Sequence, residues 1–209
     1  MLVVGLTGGA ASGKTTVSRF LKEEGAYLID ADQIARALVK PQTPLWSELV
    51  RVFGKHILKQ DGSLDRKKLS AIVFSDPPQR RLLNELLHPR IKEEIDRLRR
   101  EIGEKDPEAI VVIDAPLLVE TGSYRDMDQV VVVTCTETQQ LERLQQRDGS
   151  SLERAREILS AQLALEEKIK VADHVIRNEN SLEETRRRTK EVFKALKKMV
   201  LQEKGCAAG

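Results

Sequence analysis

A glycine-rich run ending in lysine and threonine carries the clearest chemistry in this 209-residue sequence. Gly8, Gly9, Ala10, Ala11, Ser12, Gly13, Lys14 and Thr15 satisfy the spacing GxxxxGK[ST], directly after an apolar run and directly before an amphipathic one. In that setting each residue type has a task. The glycines let backbone N–H groups turn inward around a phosphate, and the helix start adds the positive end of its dipole. Lys14 reaches the β- and γ-oxygens, and Thr15, with Thr16 beside it, offers a hydroxyl to magnesium. The expected ligand is a nucleoside triphosphate.

Other reactive side chains follow at the ends of apolar runs. Asp30 and Asp32 close the second run, where carboxylates of a parallel sheet face the ligand crevice. One is expected to help hold magnesium and the other to accept a proton from an attacking hydroxyl, although both types also cap helices. Asp114 ends the run IVVID and is the third expected metal ligand, with Thr15 and Asp30. Arg143 and Arg147 lie one helical turn apart, so two guanidiniums share a face and suit charge that develops during phosphoryl transfer. A solvated helix face is the plainer reading of that pair. His88, just before Pro89, reads equally as structural, and Arg186–Arg188 as a solvated face.

These residues need a scaffold. Apolar runs at Leu2–Leu6, Ala26–Ile29, Ile110–Ile113, Gln129–Val133 and His174–Ile176 read as strands covered on both faces. Helical stretches between them give a repeated βα pattern and a parallel sheet. The gap between the second and third strands is far longer than one crossover helix requires, so it holds an insertion. Within it, Ser75-Asp76-Pro77 reads as a capped helix start, and Pro89 is expected to kink or split that helix at His88. After the fourth strand a second helical insertion breaks at Asp148-Gly149 and restarts with Ser150 and Glu153 as a capping box. The tail reads as a closing helix, with residues 205–209 fraying.

Composition excludes several classes. The formal net charge is +2, which gives nucleic acid or a membrane no electrostatic claim as an obligatory partner, and no protein partner is evident. Cys135 and Cys206 lack CxxC spacing, no run is long and apolar enough to span a membrane, and no signal-peptide pattern opens the chain, so a cytoplasmic protein is expected. The absence of an NKxD tetrapeptide argues against a regulatory GTPase. Two insertions, one bearing arginines, suit a small-molecule kinase in which one segment grips the acceptor and the other closes as a water-excluding lid. A nucleoside or nucleotide kinase and a non-enzymatic ATP-binding switch remain as alternatives.

The sequence also resembles the dephospho-coenzyme A kinases over almost its whole length. The resemblance rests on GLTGGAASGKTTV at 5–17, IDADQIAR at 29–36, LLHPRI at 86–91 and PLLVE at 116–120. It continues through QLERLQQRD at 140–148, ILSAQLALEEK at 158–168 and ADHVIRN at 172–178. It implies ATP-dependent phosphorylation of the ribose 3′-hydroxyl of dephospho-CoA, with magnesium. The implied fold is a three-layer α/β/α nucleotide-binding core with a five-stranded parallel sheet in the order 2-3-1-4-5, a helical acceptor insertion and a helical lid. The corresponding segments are 1–38, 107–137 and 172–204 for the core, 39–106 for the acceptor insertion and 138–171 for the lid. By the same resemblance Asp32 is the base or orienting carboxylate, and Arg36, His88, Pro116, Leu117, Leu118 and Glu120 belong to the acceptor site. Arg143 and Arg147 are lid arginines, and Asn178 lies near the adenine. The chain departs from many members at Ala10-Ala11, where isoleucine and glycine are usual, and at Ile158 and Leu163, where arginine and proline are usual.

Overall fold

The computed structural model describes residues 1–207. The five apolar runs form strands β1 (Leu2–Gly8), β2 (Tyr27–Asp30), β3 (Ile110–Asp114), β4 (Gln129–Thr134) and β5 (His174–Arg177). They make one sheet in the order β2-β3-β1-β4-β5, as expected, with β1 parallel to β3 and β4, and β4 parallel to β5. Every residue of β1 and β3 is buried, which is why those runs are largely apolar and do not alternate, with Thr7 and Asp114 near their ends.

Alternation along the strands still sorts side chains between the two faces. On one face Val4, Leu6, Val112, Val131 and Val133 meet Val17 and Leu21 of α1 (Lys14–Glu23) and Phe193 and Leu196 of α9 (Leu182–Ala207). One residue out of phase, Val130 and Val132 meet Leu118 on the other face. Leu196 has no exposed surface, so truncating it to alanine costs about 2–5 kcal/mol. The basic triplet of α9 serves this packing. Arg186 stacks on the Phe20 ring at 4.2 Å and pairs with Glu23 at 2.6 Å, while Arg188 donates to the Arg177 carbonyl. Helix α9 runs to Ala207, past Gly205. Residues 208 and 209 lie outside the described residues.

The chain divides into two compact units, Met1–Ile29 with the chain from Glu101 on, and Asp30–Arg100. The second unit starts earlier than the expected 39–106 because α2 (Ala31–Leu38) contacts α3 (Pro44–Phe53), and Leu38 packs on its small core. That core is built from Leu45, Leu49 and Phe53 of α3, with Ile57, Leu64 and Leu69. Its helices begin where side chains can cap them. Thr43 accepts from Trp46 N before Pro44, and Asp65 accepts from Lys67 N and Lys68 N at the start of α4 (Arg66–Ser75). Asp76 caps α5 (Pro77–Lys105) through Gln79 N. Helix α5 runs unbroken through Pro89, contrary to the expected split, so the proline removes one helical donor without ending the helix.

The segment after β4 contains α6 (Glu137–Asp148), α7 (Leu152–Ser160) and α8 (Leu165–Ile169). Gly149 closes α6 in the left-handed conformation, and the next cap is Ser151, not Ser150. A full capping box lies instead at Thr136 and Gln139, at the start of α6. Among the described residues no helix is long and apolar enough to cross a membrane.

Candidate functional site

The phosphate loop connects β1 to α1, and other parts of the first unit hold it by four backbone groups of its tip. Gln140 Nε2 donates to the Ala10 carbonyl at 2.7 Å, and the Ala10 N–H donates to Gln162 Oε1 at 2.8 Å. Arg143 reaches the Ala11 carbonyl at 3.4 Å with one guanidinium nitrogen and the Asn178 carbonyl at 3.0 Å with another. Asn178 Nδ2 donates to the Ser12 carbonyl at 2.9 Å, and its Oδ1 accepts from Thr185. The carbonyls of Ala10, Ala11 and Ser12 are thus held by side chains, while of the N–H groups that of Ala10 is held by Gln162 and that of Ser12 by the Gly9 carbonyl.

Backbone conformation explains the residue types. Gly13 sits at φ 92°, and a Cβ there would lie 1.9 Å from Asn178 Nδ2, so only glycine fits. Ala11 adopts φ 55°, a region that costs a residue with a Cβ about 1–2 kcal/mol. The chain therefore keeps a left-handed loop tip without the glycine usual in the family it resembles. Cys135 Sγ approaches the Ala11 carbonyl at 3.9 Å. Burial raises the Cys135 thiol pKa above its ordinary value, and the Arg143 charge partly offsets this.

Lys14 pairs with Asp114 at the end of β3, and both side chains are largely buried. The loop lysine and the strand-end carboxylate are thus in direct contact. The Ser12 hydroxyl is buried beside them in the loop, with no hydrogen-bond partner among the described residues. No group of three or more His, Cys, Asp or Glu is poised to hold a metal among the described residues.

Several expected residues are found in other roles. Asp30, expected as a metal ligand, is the N-cap of α2, and its two oxygens accept from Gln33 N and Gln33 Nε2. Asn178, expected near the adenine, has both ends of its amide committed to Ser12 and Thr185 and is a brace for the loop. Leu118, expected in the acceptor site, is 1% exposed and packs in the core under β4, whereas its neighbour Leu117 is 51% exposed. Arg147 is turned away from the loop, with its guanidinium bidentate on Asp148 at 2.7 and 2.8 Å. That hydrogen bonding holds the Asp148 carboxyl below its ordinary pKa and raises Arg147. The Pro116 carbonyl accepts from Thr7, and Glu120 pairs with Lys168 at 2.7 Å.

In the second unit Asp32 and Arg36 stand in the first and last turns of α2, both exposed. Arg36 lines a cleft of about 530 Å³ together with Lys40, Lys59, Arg66 and Lys67, a basic setting suited to an anion. His88 is exposed on α5. Sequence reasoning missed Gln140, Gln162, Thr185 and Lys168. The stretches 140–148 and 158–168 contained three of them, without any signal that their side chains turn back to the loop.

Comparison with known proteins gives a consistent answer. The family model for dephospho-CoA kinase matches residues 2–184. A dephospho-CoA kinase domain-containing protein of Danio rerio is 47% identical over 90% of this chain and 82% of its own length. A dephospho-CoA kinase of Symbiobacterium thermophilum is 44% identical over 93% of this chain and 81% of its own. A crystal structure from Thermus thermophilus superposes with a TM-score of 0.79 at 31% identity, covering 93% of this chain and 97% of that one.

Proposed function

The chain belongs to the dephospho-CoA kinase family, and we propose that it transfers the γ-phosphate of ATP to the ribose 3′-hydroxyl of dephospho-CoA, giving coenzyme A and ADP. It is an ATP-dependent kinase of coenzyme A biosynthesis. The observation that carries the site assignment is the braced phosphate loop, with Lys14 set on Asp114.

Transfer is in line, without a covalent enzyme intermediate. The acceptor oxygen forms a bond to the γ-phosphorus as the bond to the ADP oxygen breaks. Phosphoryl transfer asks mainly for positioning and charge balance. The loop N–H groups and Lys14 bind the triphosphate, and Arg143, already at the loop tip, supplies the lid charge. Asp32 orients the acceptor hydroxyl and takes its proton. Arg36 and the basic cleft beside it suit the diphosphate of the acceptor. His88 and the exposed part of the Pro116–Glu120 turn complete the acceptor contacts, and residues 138–171 act as the lid.

Magnesium belongs with this reading. The Thr15 hydroxyl and the Asp114 carboxylate are hard oxygen donors beside the phosphate loop, which fits that ion and its habit of completing its shell with substrate phosphates. Held by those residues, the ion would supply neutralisation of triphosphate charge. The reaction runs in the cytoplasm, a reading supported by Cys135 being a free thiol.

The test is ADP release from ATP and magnesium by the purified protein, with dephospho-CoA, uridine, AMP or no acceptor, and mass analysis of the product. ADP release that requires dephospho-CoA and yields coenzyme A is expected. Equal release with uridine or AMP, or release without any acceptor, sinks the reading.

A further inference from the structure

Lys168 lies in α8 with none of its surface exposed. An ammonium carries three donors, and three acceptors surround this one. Nζ stands 2.7 Å from Glu120 Oε1, 3.0 Å from the Pro116 carbonyl and 3.5 Å from the Gly8 carbonyl. Those acceptors come from two segments with different tasks. Gly8 is the first residue of the phosphate loop, and Pro116 and Glu120 bound the turn after β3. Lys168 itself closes the helical segment that begins at α6. One buried charge therefore joins the entry of the donor loop, the turn after β3 and the last helix of the segment between β4 and β5.

Fold stability alone gives a poor account of this lysine. Removing an ammonium and a carboxylate from water is costly, and apolar replacement of a buried pair is often neutral or stabilising. The neighbouring core of Leu118, Val130, Val132 and Leu165 would accept an apolar side chain readily. What a methionine or leucine lacks is directed bonding that sets the spacing of the two segments.

We infer that Lys168 is a positioning residue for phosphoryl transfer, fixing the Pro116–Glu120 turn against the first glycine of the phosphate loop through its ammonium. The kinetic part of this inference rests on the dephospho-CoA reading, whereas its structural part stands on Lys168, Glu120, Pro116 and Gly8 alone. Small misplacements of reacting groups are expensive in rate, so the strut acts on turnover more than on binding.

The experiment compares wild type with Lys168→Met, and with Lys168→Met/Glu120→Gln, which leaves no unpaired carboxylate. In the folded variants kcat with dephospho-CoA falls about 10–100-fold, while the Kd for ATP moves less than threefold, as does the KM for dephospho-CoA in Lys168→Met alone. Amide hydrogen exchange speeds up at Gly8–Gly9 and at Leu117–Glu120 and is unchanged in β3 and β4. Glu120→Asp is the second variant should the methionine forms fail to fold. It keeps the charge pair, shortens the strut by one methylene, and is expected to lower kcat about tenfold with an unchanged melting temperature. Exchange and kcat both within twofold of wild type in any folded variant overturn the inference. The exchange readout needs no acceptor, so a wild-type enzyme inactive with dephospho-CoA would remove the assigned reaction without deciding Lys168. Unchanged exchange would dispose of the strut whatever the substrate.

Discussion

Asn178 at the end of β5 donates its side-chain amide to the carbonyl of Ser12, 166 positions earlier in the chain, and the same amide nitrogen lies where a Cβ on Gly13 would be. The two positions are therefore coupled. Gly13→Ala meets both the Asn178 amide and a φ of 92°, and is expected to abolish measurable ATP binding and lower the melting temperature. Asn178→Ala leaves the Ser12 carbonyl unpaired and costs about 1–3 kcal/mol. In the double variant the steric part of the Gly13 effect disappears, so the combined loss is less than the sum. Strict additivity in thermal melts would refute the coupling.

Ala11 sets two effects against each other. Replacing it with glycine relieves about 1–2 kcal/mol of left-handed strain and adds about 0.5–1 kcal/mol of unfolded-chain entropy. The net expectation for Ala11→Gly is a gain of up to about 1 kcal/mol. Ala11→Val, β-branched at φ 55°, is expected to destabilise by more than about 2 kcal/mol and to weaken ATP binding. Denaturant melts of the pair check the signs. A stable valine variant would mean that the loop tip relaxes freely.

Asp32 and Lys14 separate chemistry from binding. Asp32→Asn is expected to lower kcat by about 10²–10⁴-fold while the calorimetric Kd for ATP stays within about threefold. Lys14→Ala removes the charge proposed to meet the phosphates, and a loss of at least about 10²–10³-fold in transfer is expected. Turnover of Asp32→Asn within a few-fold of wild type would remove the carboxylate from the mechanism.

The buried thiol of Cys135 gives a pH dependence. Burial raises its pKa in the folded protein, whereas the unfolded chain ionises near about 8.5. The contribution to stability is therefore complete below that pH and is lost as pH rises from there toward the folded value. The difference in melting temperature between wild type and Cys135→Ala should shift against wild type as pH rises above about 8.5. A difference that stays flat across that range would mean the thiol ionises equally in both states.

The sheet was legible because its strands are buried on both faces, which leaves uninterrupted apolar runs ending in glycine or acid, as in Leu2–Gly8 and Ile110–Asp114. The loop spacing was legible for a similar reason, since its backbone demands particular residue types within a few positions. The brace around it was not. Gln140 and Gln162 meet Ala10 across 130 and 152 positions, and a glutamine on a helix has the same local pattern whether it faces solvent or a carbonyl. The partners of Asp30 and Asn178 were hidden for the converse reason. Each is a polar residue at the edge of a strand, and only the packed structure shows that a helix end or a loop carbonyl has already claimed its side chain. The unbroken course of α5 through Pro89 was hidden too, because a single lost donor does not outweigh the turns on either side.

The hydrogen on the Ala10 nitrogen, held by Gln162, doubles as a clock. Gln162 lies between α7 and α8, so this deuterium label is released only when that connection lifts from the loop. Its exchange half-life, followed at one resonance, times the opening of the α7–α8 connection without any substrate being turned over.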